Sequence, residues 1–182
     1  MRVFFALMPP PAPRAALAAA AAGAPLPQGR RVPAANLHVT LAYVGEVDAA
    51  VRARCERAAA TLDGEAFDLD FDHVGCFERA RVAWLGLAHT PPALTALVAD
   101  LRAALAAAAL PFDPKPFRCH LSFARDARAV PLPQRLAPVR WPVHEFALVE
   151  SLSGSAGMRY ETRAKWPLRP ACRDETAPPP VQ

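Results

Sequence analysis

Apolar residues in this chain follow two rhythms: short runs or alternations of strand length, and longer stripes at helical spacing. Val3-Phe4-Phe5-Ala6-Leu7, introduced by Arg2 and closed by Pro9-Pro10-Pro11, predicts a buried strand. An alanine-rich stretch from Ala12 to Ala22 ends at Gly23 with Pro25 beyond, as a helix would. His38-Val39-Thr40-Leu41-Ala42 then alternates polar and apolar positions. In a strand this puts His38, Thr40 and Ala42 on one face, and Val39, Leu41 and Tyr43 on the other. Asp48 can cap a helix with the stripe Val51, Cys55, Ala58, Ala59 and Leu62, and Phe67 to Phe71 alternates as a further strand.

The same order then returns. Arg81 to Leu87 predicts a strand, Thr90 a helix cap and Pro91 a first helical turn. Leu94, Leu97, Val98, Leu101 and Leu105 make the next helical stripe, which Pro111 stops. His120-Leu121-Ser122-Phe123-Ala124 repeats the alternation eighty-two residues after its first copy. It again sets an imidazole and a hydroxyl on one face and apolar residues on the other. The helix expected next is reduced or lost to a proline-interrupted segment, Val130 to Pro142. Phe146 to Val149 and Tyr160 to Trp166 predict a hairpin across a turn at Gly154 to Gly157. One duplication of this period predicts an α+β fold of two lobes related by a pseudo-twofold axis. In that reading two antiparallel sheets face a central cleft and the helices lie outside. Residues 1–169 form the single bilobal domain, and 170–182, with Pro178-Pro179-Pro180, predict a mobile tail.

Composition narrows the function classes. With 53% apolar and 21% charged residues, the 182-residue chain is a folded domain and not a disordered one. Nineteen of the 21 basic residues are arginine, and the formal charge is +4. Bidentate phosphate contacts are therefore available, without the basic block of a nucleic-acid tail. Cys55, Cys76, Cys119 and Cys172 form no C-x-x-C pair and fit no zinc spacing, which predicts reduced, mostly buried thiols. The six-residue apolar run at the N-terminus is shorter than a signal-peptide core. No segment reaches the roughly 20 apolar residues of a membrane span. A cytoplasmic protein without membrane contact is expected.

The paired blocks N-L-H-V-T-L-A-Y-V-G and H-L-S-F-A-R, with R-V-F-F-A-L, R-V-A-W-L-G-L, E-S-L-S-G and Y-E-T-R-A-K-W-P-L around them, resemble the two-histidine (2H) phosphoesterases. The resemblance is closest to their RNA 2′,3′-cyclic phosphodiesterase branch, also called 2′-5′ RNA ligase-like, and covers roughly Arg2 to Leu168. Ser122 stands where threonine is commoner in the family, and Cys119 where proline often precedes the histidine. The resemblance implies metal-independent opening of RNA 2′,3′-cyclic phosphate ends to 2′-phosphomonoesters, with reversible 2′-5′ ligation as a further capacity. It implies His38 as proton donor and His120 as proton acceptor. No cofactor, no metal and no obligate protein partner are expected, and a monomer is.

The residue types suit that chemistry. Histidine titrates near neutral pH, so one imidazole can activate water while the other protonates the departing ribose oxygen. Thr40 and Ser122 can donate to the non-bridging phosphate oxygens. Arg125 is a further phosphate ligand only if its strand bends, because alternation puts it opposite His120; Arg118 lies on the His120 face. His73, His89 and His144 lack the motif and predict loop or edge-strand positions. Trp84 and Tyr43 are expected in the core. Two other readings stay open: a cyclic phosphodiesterase acting on small nucleotides or ADP-ribose cyclic phosphate, and a non-catalytic module binding RNA ends or nucleotides.

Overall fold

The computed structural model describes residues 1–26, 28–128, 130, 134–154 and 157–170. The elements are β1 (Arg2–Leu7), α1 (Pro11–Gly23), β2 (Gln28–Arg31), a 3₁₀ turn (Ala34–Asn36), β3 (Val39–Glu46) and α2 (Ala49–Ala59). Then come β4 (Phe67–Phe77), β5 (Val82–Gly86), α3 (Pro92–Ala107), β6 (His120–Arg128), β7 (Gln134–Val143), β8 (Glu145–Gly154) and β9 (Gly157–Pro167). The periodicity located the helices well. Asp48 caps α2 by accepting from the Val51 amide at 2.7 Å, and α3 buries Leu94, Leu97, Val98, Leu101 and Leu105. Thr90 does not cap α3, however. Pro91 holds the cap position and Pro92 the first helical turn, because prolines already hold φ near the helical value and leave no first-turn amide to satisfy.

The two separate sheets expected from the duplication are one curled, antiparallel, nine-stranded sheet. Its order is β7-β4-β5-β6-β3-β1-β8-β9, with β2 also on β6. The two motif strands pair with each other at Val39↔Leu121, which welds the halves together. Two buried strand edges left facing each other would leave backbone donors and acceptors unpaired, a cost that pairing removes. Beyond this pair β3 and β6 separate, and β2 takes over the edge of β6 (Arg31↔Ala124, Arg30↔Arg125). The cleft opens at that divergence.

The halves also exchange strands. The hairpin formed by β8 and β9 lies beside β1, at the opposite end of the chain. β4, which follows the first motif, lies beside β5 of the second half. The proline-interrupted segment supplies β7 on the outer side of β4, where an edge strand tolerates Pro138 and Pro142. The turn between β8 and β9 lies partly outside the described residues, although Gly154↔Gly157 closes the ladder. The expected tail, apart from Pro170, lies outside them, as does Cys172. Cys55 and Cys119 are buried and Cys76 is half-buried, all three as free thiols. No helix among the described residues is long and apolar enough to cross a membrane.

Candidate active site

The single β3–β6 pair determines how the motif residues meet. Carried one residue either way, the antiparallel register Val39↔Leu121 sets His38 across from Ser122 and Thr40 across from His120. Each imidazole therefore faces the hydroxyl of the other copy, about the pseudo-twofold axis through Val39 and Leu121. Val39 and Leu121 point away into the core, each fully buried. A cavity of about 760 Å³ takes in His38, Ser122, Thr40, Arg125, Tyr43 and Tyr160. An adjoining cavity of about 690 Å³ takes in His120, Thr40, Tyr43, Phe77, Lys115 and Arg118. Thr40 and Tyr43 line both, so the two imidazoles open on one continuous cleft.

Both rings are held alike. His38 Nδ1 lies 2.7 Å from the Asn36 carbonyl oxygen, and His120 Nδ1 lies 2.7 Å from the Arg118 carbonyl oxygen. A carbonyl only accepts, so Nδ1 carries the proton and donates in each, and Nε2 is left for proton exchange. Asn36 is itself buried, and its Nδ2 donates to the Met158 carbonyl of β9 at 2.7 Å. That bond fixes the turn presenting His38. Phe4 and Tyr160 pack on the His38 ring with centroids 5.0 and 4.9 Å away. Phe77 and Trp84 pack on His120 at 5.0 and 6.4 Å.

Burial lowers the pKa of His38 to about 4, against the Asn36 carbonyl, which favours the charged ring; the charges of Arg125 and His120 lower it further. Burial also lowers the pKa of His120, the Arg118 carbonyl opposes it, and the Arg118 guanidinium adds to the lowering. Both imidazoles of the free enzyme are consequently neutral near pH 7.

A β-bulge directly after each motif overturns the simple alternation. On β3 the partners step from Ala6↔Thr40 to Phe5↔Ala42, leaving Leu41 as the extra residue. On β6 they step from Trp84↔Ser122 to Ala83↔Ala124, leaving Phe123 as the extra residue. Consecutive residues Leu41-Ala42 and Phe123-Ala124 are buried as a result, and the side chains that follow directly, Tyr43 and Arg125, change face, before a second register shift on each strand interrupts the alternation again. Tyr43 thus leaves its expected core position and stands 42% exposed in the cleft. Arg125, which alternation put on the far face, turns into the His38 cavity. Tyr43 and Arg125 are the same position of the duplicated motif. The signal was in the sequence: two adjacent apolar residues end the alternation in each copy.

Arg118 is in the cleft on the His120 side, as the alternation predicted, but its guanidinium lies over Trp84 (4.5 Å) and Phe77 (5.5 Å). Trp84 is buried as expected. Its indole lies flat over two glycines: a Cβ on Gly75 or Gly86 would come within 2.0 or 2.4 Å of it. His89 and His144 are exposed, in loop positions. His73 is neither on a loop nor on an edge. It sits on β4, between β5 and β7, with Nδ1 2.6 Å from Asp72 Oδ1. Among the described residues no group of three or more His, Cys, Asp or Glu side chains is arranged to hold a metal ion.

Paired imidazoles and hydroxyls about a twofold axis, on a curled antiparallel sheet, define a two-histidine phosphoesterase. Comparison with known proteins agrees. Residues 9–155 match the 2′-5′ RNA ligase superfamily. The chain is 35% identical over 141 residues, 77% of its length and 80% of the relative's, to the RNA 2′,3′-cyclic phosphodiesterase of Escherichia coli K12. Escherichia coli LigT, solved with 3′-AMP, superposes with a TM-score of 0.84 at 34% identity, covering 92% of this chain and 97% of that one. The protein TT0787 of Thermus thermophilus gives 0.78 at 29% identity, over 94% and 100%. The chain belongs to the 2′-5′ RNA ligase superfamily and is a 2H phosphoesterase.

Proposed function

We propose that this enzyme hydrolyses RNA 2′,3′-cyclic phosphate ends to 2′-phosphomonoesters by acid–base catalysis between His38 and His120. The observation that carries the reading is the matched anchoring of the two rings, each Nδ1 donating to the carbonyl two residues upstream. Both Nε2 atoms are thereby left for proton exchange in a cleft that Thr40, Ser122 and Arg125 also line. In the step proposed, His120 Nε2 takes a proton from water as the water oxygen bonds to phosphorus. The phosphorus–O3′ bond breaks opposite it, and His38 Nε2 gives its proton to O3′. One water is added, and both imidazoles return to their starting states after proton exchange with solvent.

The hydroxyls of Thr40 and Ser122 and the guanidinium of Arg125 bind the non-bridging oxygens, where charge accumulates in the transition state. An anionic phosphate also counteracts the effect of burial on the rings. Its charge raises both depressed histidine pKa values, so the proposed acid is charged once substrate binds. RNA is the favoured substrate because Arg2 and Arg30 share the His38 cavity and offer charge to upstream phosphates. The Escherichia coli relative is named for that substrate. A 5′-hydroxyl taking the place of water in the same step bonds to phosphorus as P–O3′ breaks and gives a 2′-5′ linkage, a transesterification that can run back to the cyclic end. The enzyme is proposed to work as a cytoplasmic monomer without a metal.

The test is incubation of the purified protein with an oligonucleotide ending in a 2′,3′-cyclic phosphate, with and without EDTA, followed by phosphorus NMR of the product. A 2′-phosphate formed equally in chelator supports the reading. A 3′-phosphate product, or rescue by zinc alone, refutes it. Activity undiminished when the RNA is cut to a mononucleotide would favour the small-nucleotide alternative.

A further inference from the structure

A hydrolase that admits only water beside His120 would need little room there. In-line displacement puts the leaving oxygen and its ribose on the side of His38, the acid, and the nucleophile on the side of His120, the base. One water takes up about 30 Å³, yet the cavity beside His120 is about 690 Å³, within the range of small-molecule sites. Its lining suits a nucleoside, with Phe77, Phe117, Lys115 and Arg118 around the imidazole.

Arg118 is the best defined of these groups. Trp84 lies against Gly75 and Gly86, where any Cβ would collide with the indole. The Arg118 guanidinium lies over that indole at 4.5 Å and over Phe77 at 5.5 Å. Phe77 in turn packs on the His120 ring at 5.0 Å. Among the described residues Arg118 pairs with no carboxylate, whereas Lys115 is taken by Asp113 at 2.9 Å. The loop before Arg118 is tied to α3, since Arg102 donates to the Lys115 carbonyl at 2.9 Å. A guanidinium is thus held by rings on one side and exposed on the other, next to the imidazole that takes the nucleophile's proton. Unpaired bases stack on guanidinium planes as they do on aromatic ones.

We propose that the cavity beside His120 is an acceptor site for a nucleoside with a free 5′-hydroxyl, its base stacked on the Arg118 guanidinium. This rests on the two-histidine reaction proposed above and names the second substrate it takes. In the transfer the acceptor O5′ bonds to phosphorus and its proton passes to His120 Nε2. The phosphorus–O3′ bond breaks, and His38 Nε2 gives its proton to O3′. The product is a 2′-5′ diester with a free 3′-hydroxyl, and no water is consumed. Stacking holds the alcohol where water would otherwise attack, so Arg118 sets the partition between joining and hydrolysis.

The test incubates the enzyme with a 2′,3′-cyclic-ended oligonucleotide and either adenosine or methyl riboside, and reads transferred and hydrolysed product by mass spectrometry. Their ratio cancels what both reactions share, including the effect of the Arg118 charge on His120. With adenosine the ratio should rise with concentration and saturate, and with methyl riboside it should stay lower. Arg118→Ala should lower the adenosine ratio by about 2–30-fold, the range of a cation–π contact. Arg118→Lys, which keeps the charge and loses the plane, should resemble Arg118→Ala. An adenosine ratio no higher than that of methyl riboside, unchanged in Arg118→Ala, or fully kept by lysine overturns the proposal. Adenosine binding to enzyme filled with adenosine 2′-monophosphate, followed by NMR, reads the site without turnover. A wild type that binds adenosine through Arg118 but turns nothing over refutes the reaction and supports the site. A wild type that hydrolyses the cyclic end and binds no adenosine refutes the site and supports the reaction.

Discussion

The His38 and His120 halves of the cleft share a backbone plan and differ in what surrounds it. Each imidazole donates to the carbonyl two residues before it, and each rests against two aromatic rings. On the His38 side the strap comes from the far end of the chain, through Asn36 bonded to β9 and Tyr160 packed on the ring. On the His120 side support is local to β4 and β5, and the Arg118 guanidinium covers Trp84. The bulged position is aromatic in one half and cationic in the other. A symmetric scaffold can therefore present asymmetric chemistry: the frame is duplicated, and the side chains that follow its bulges, Tyr43 and Arg125, differ in kind.

The most severe way to break this comparison is to remove either imidazole. His38→Ala and His120→Ala are each expected to lower kcat by at least about 100-fold, the scale of one lost proton-transfer group. Under the proposed roles His38→Ala loses the alkaline limb of the pH–rate profile and His120→Ala the acid limb; reversed limbs would exchange acid and base. Arg125→Ala should cost about 10–100-fold in kcat/KM, the value of a hydrogen bond to a charged group. An unchanged value would mean that the Phe123 bulge does not serve the phosphate. Thr40→Val and Ser122→Ala should each cost about 10-fold or somewhat more, by the same bonds made from neutral donors. Their near equality would bear out the reciprocal placing of hydroxyl and imidazole.

Smaller effects concern pH and support. Both free-site pKa values lie below the ordinary histidine value, so kcat/KM should follow a bell centred below about pH 6.5. The kcat profile should lie at higher pH, because bound phosphate raises both groups. Coincident profiles would show that the anion does not recharge the site. The same burial of a neutral ring links His38 to stability. Its contribution is complete above about pH 6.5, where the unfolded ring is also neutral, and is lost as pH falls toward 4. The loss is up to about 3 kcal/mol. Urea unfolding of the wild type and His38→Asn near neutral pH and near the folded pKa reads that difference directly, and parallel losses in the two proteins would contradict it. Gly86→Ala forces a Cβ against Trp84 and should destabilise by about 1–3 kcal/mol. It should perturb the His120 titration measured by NMR more than that of His38.

Much of this was legible in the chain alone. Leu94 to Leu105 repeat at helical spacing because one face of α3 must be buried, and the two H-x-[T/S] blocks alternate because a strand sends neighbours to opposite faces. Composition and local period are properties of short segments, and they located the helices, the motif strands and the two imidazoles that line the cleft. Long-range pairing was not legible. Nothing within 67–77 tells that β4 joins the second half of the sheet, or within 145–167 that β8 and β9 return to β1, because backbone hydrogen bonds between strands carry little trace of their partner in sequence. The merger of two expected sheets at Val39↔Leu121 has the same origin. Tyr43 and Arg125 fall between the two levels. Their turn into the cleft was marked by Leu41-Ala42 and Phe123-Ala124, yet only the register of β1 and β5 against those strands made the interrupted alternation a bulge and not a strand end. Which residues could do the chemistry was written in short stretches of chain; which of them face one another was not, since that depends on contacts between segments far apart.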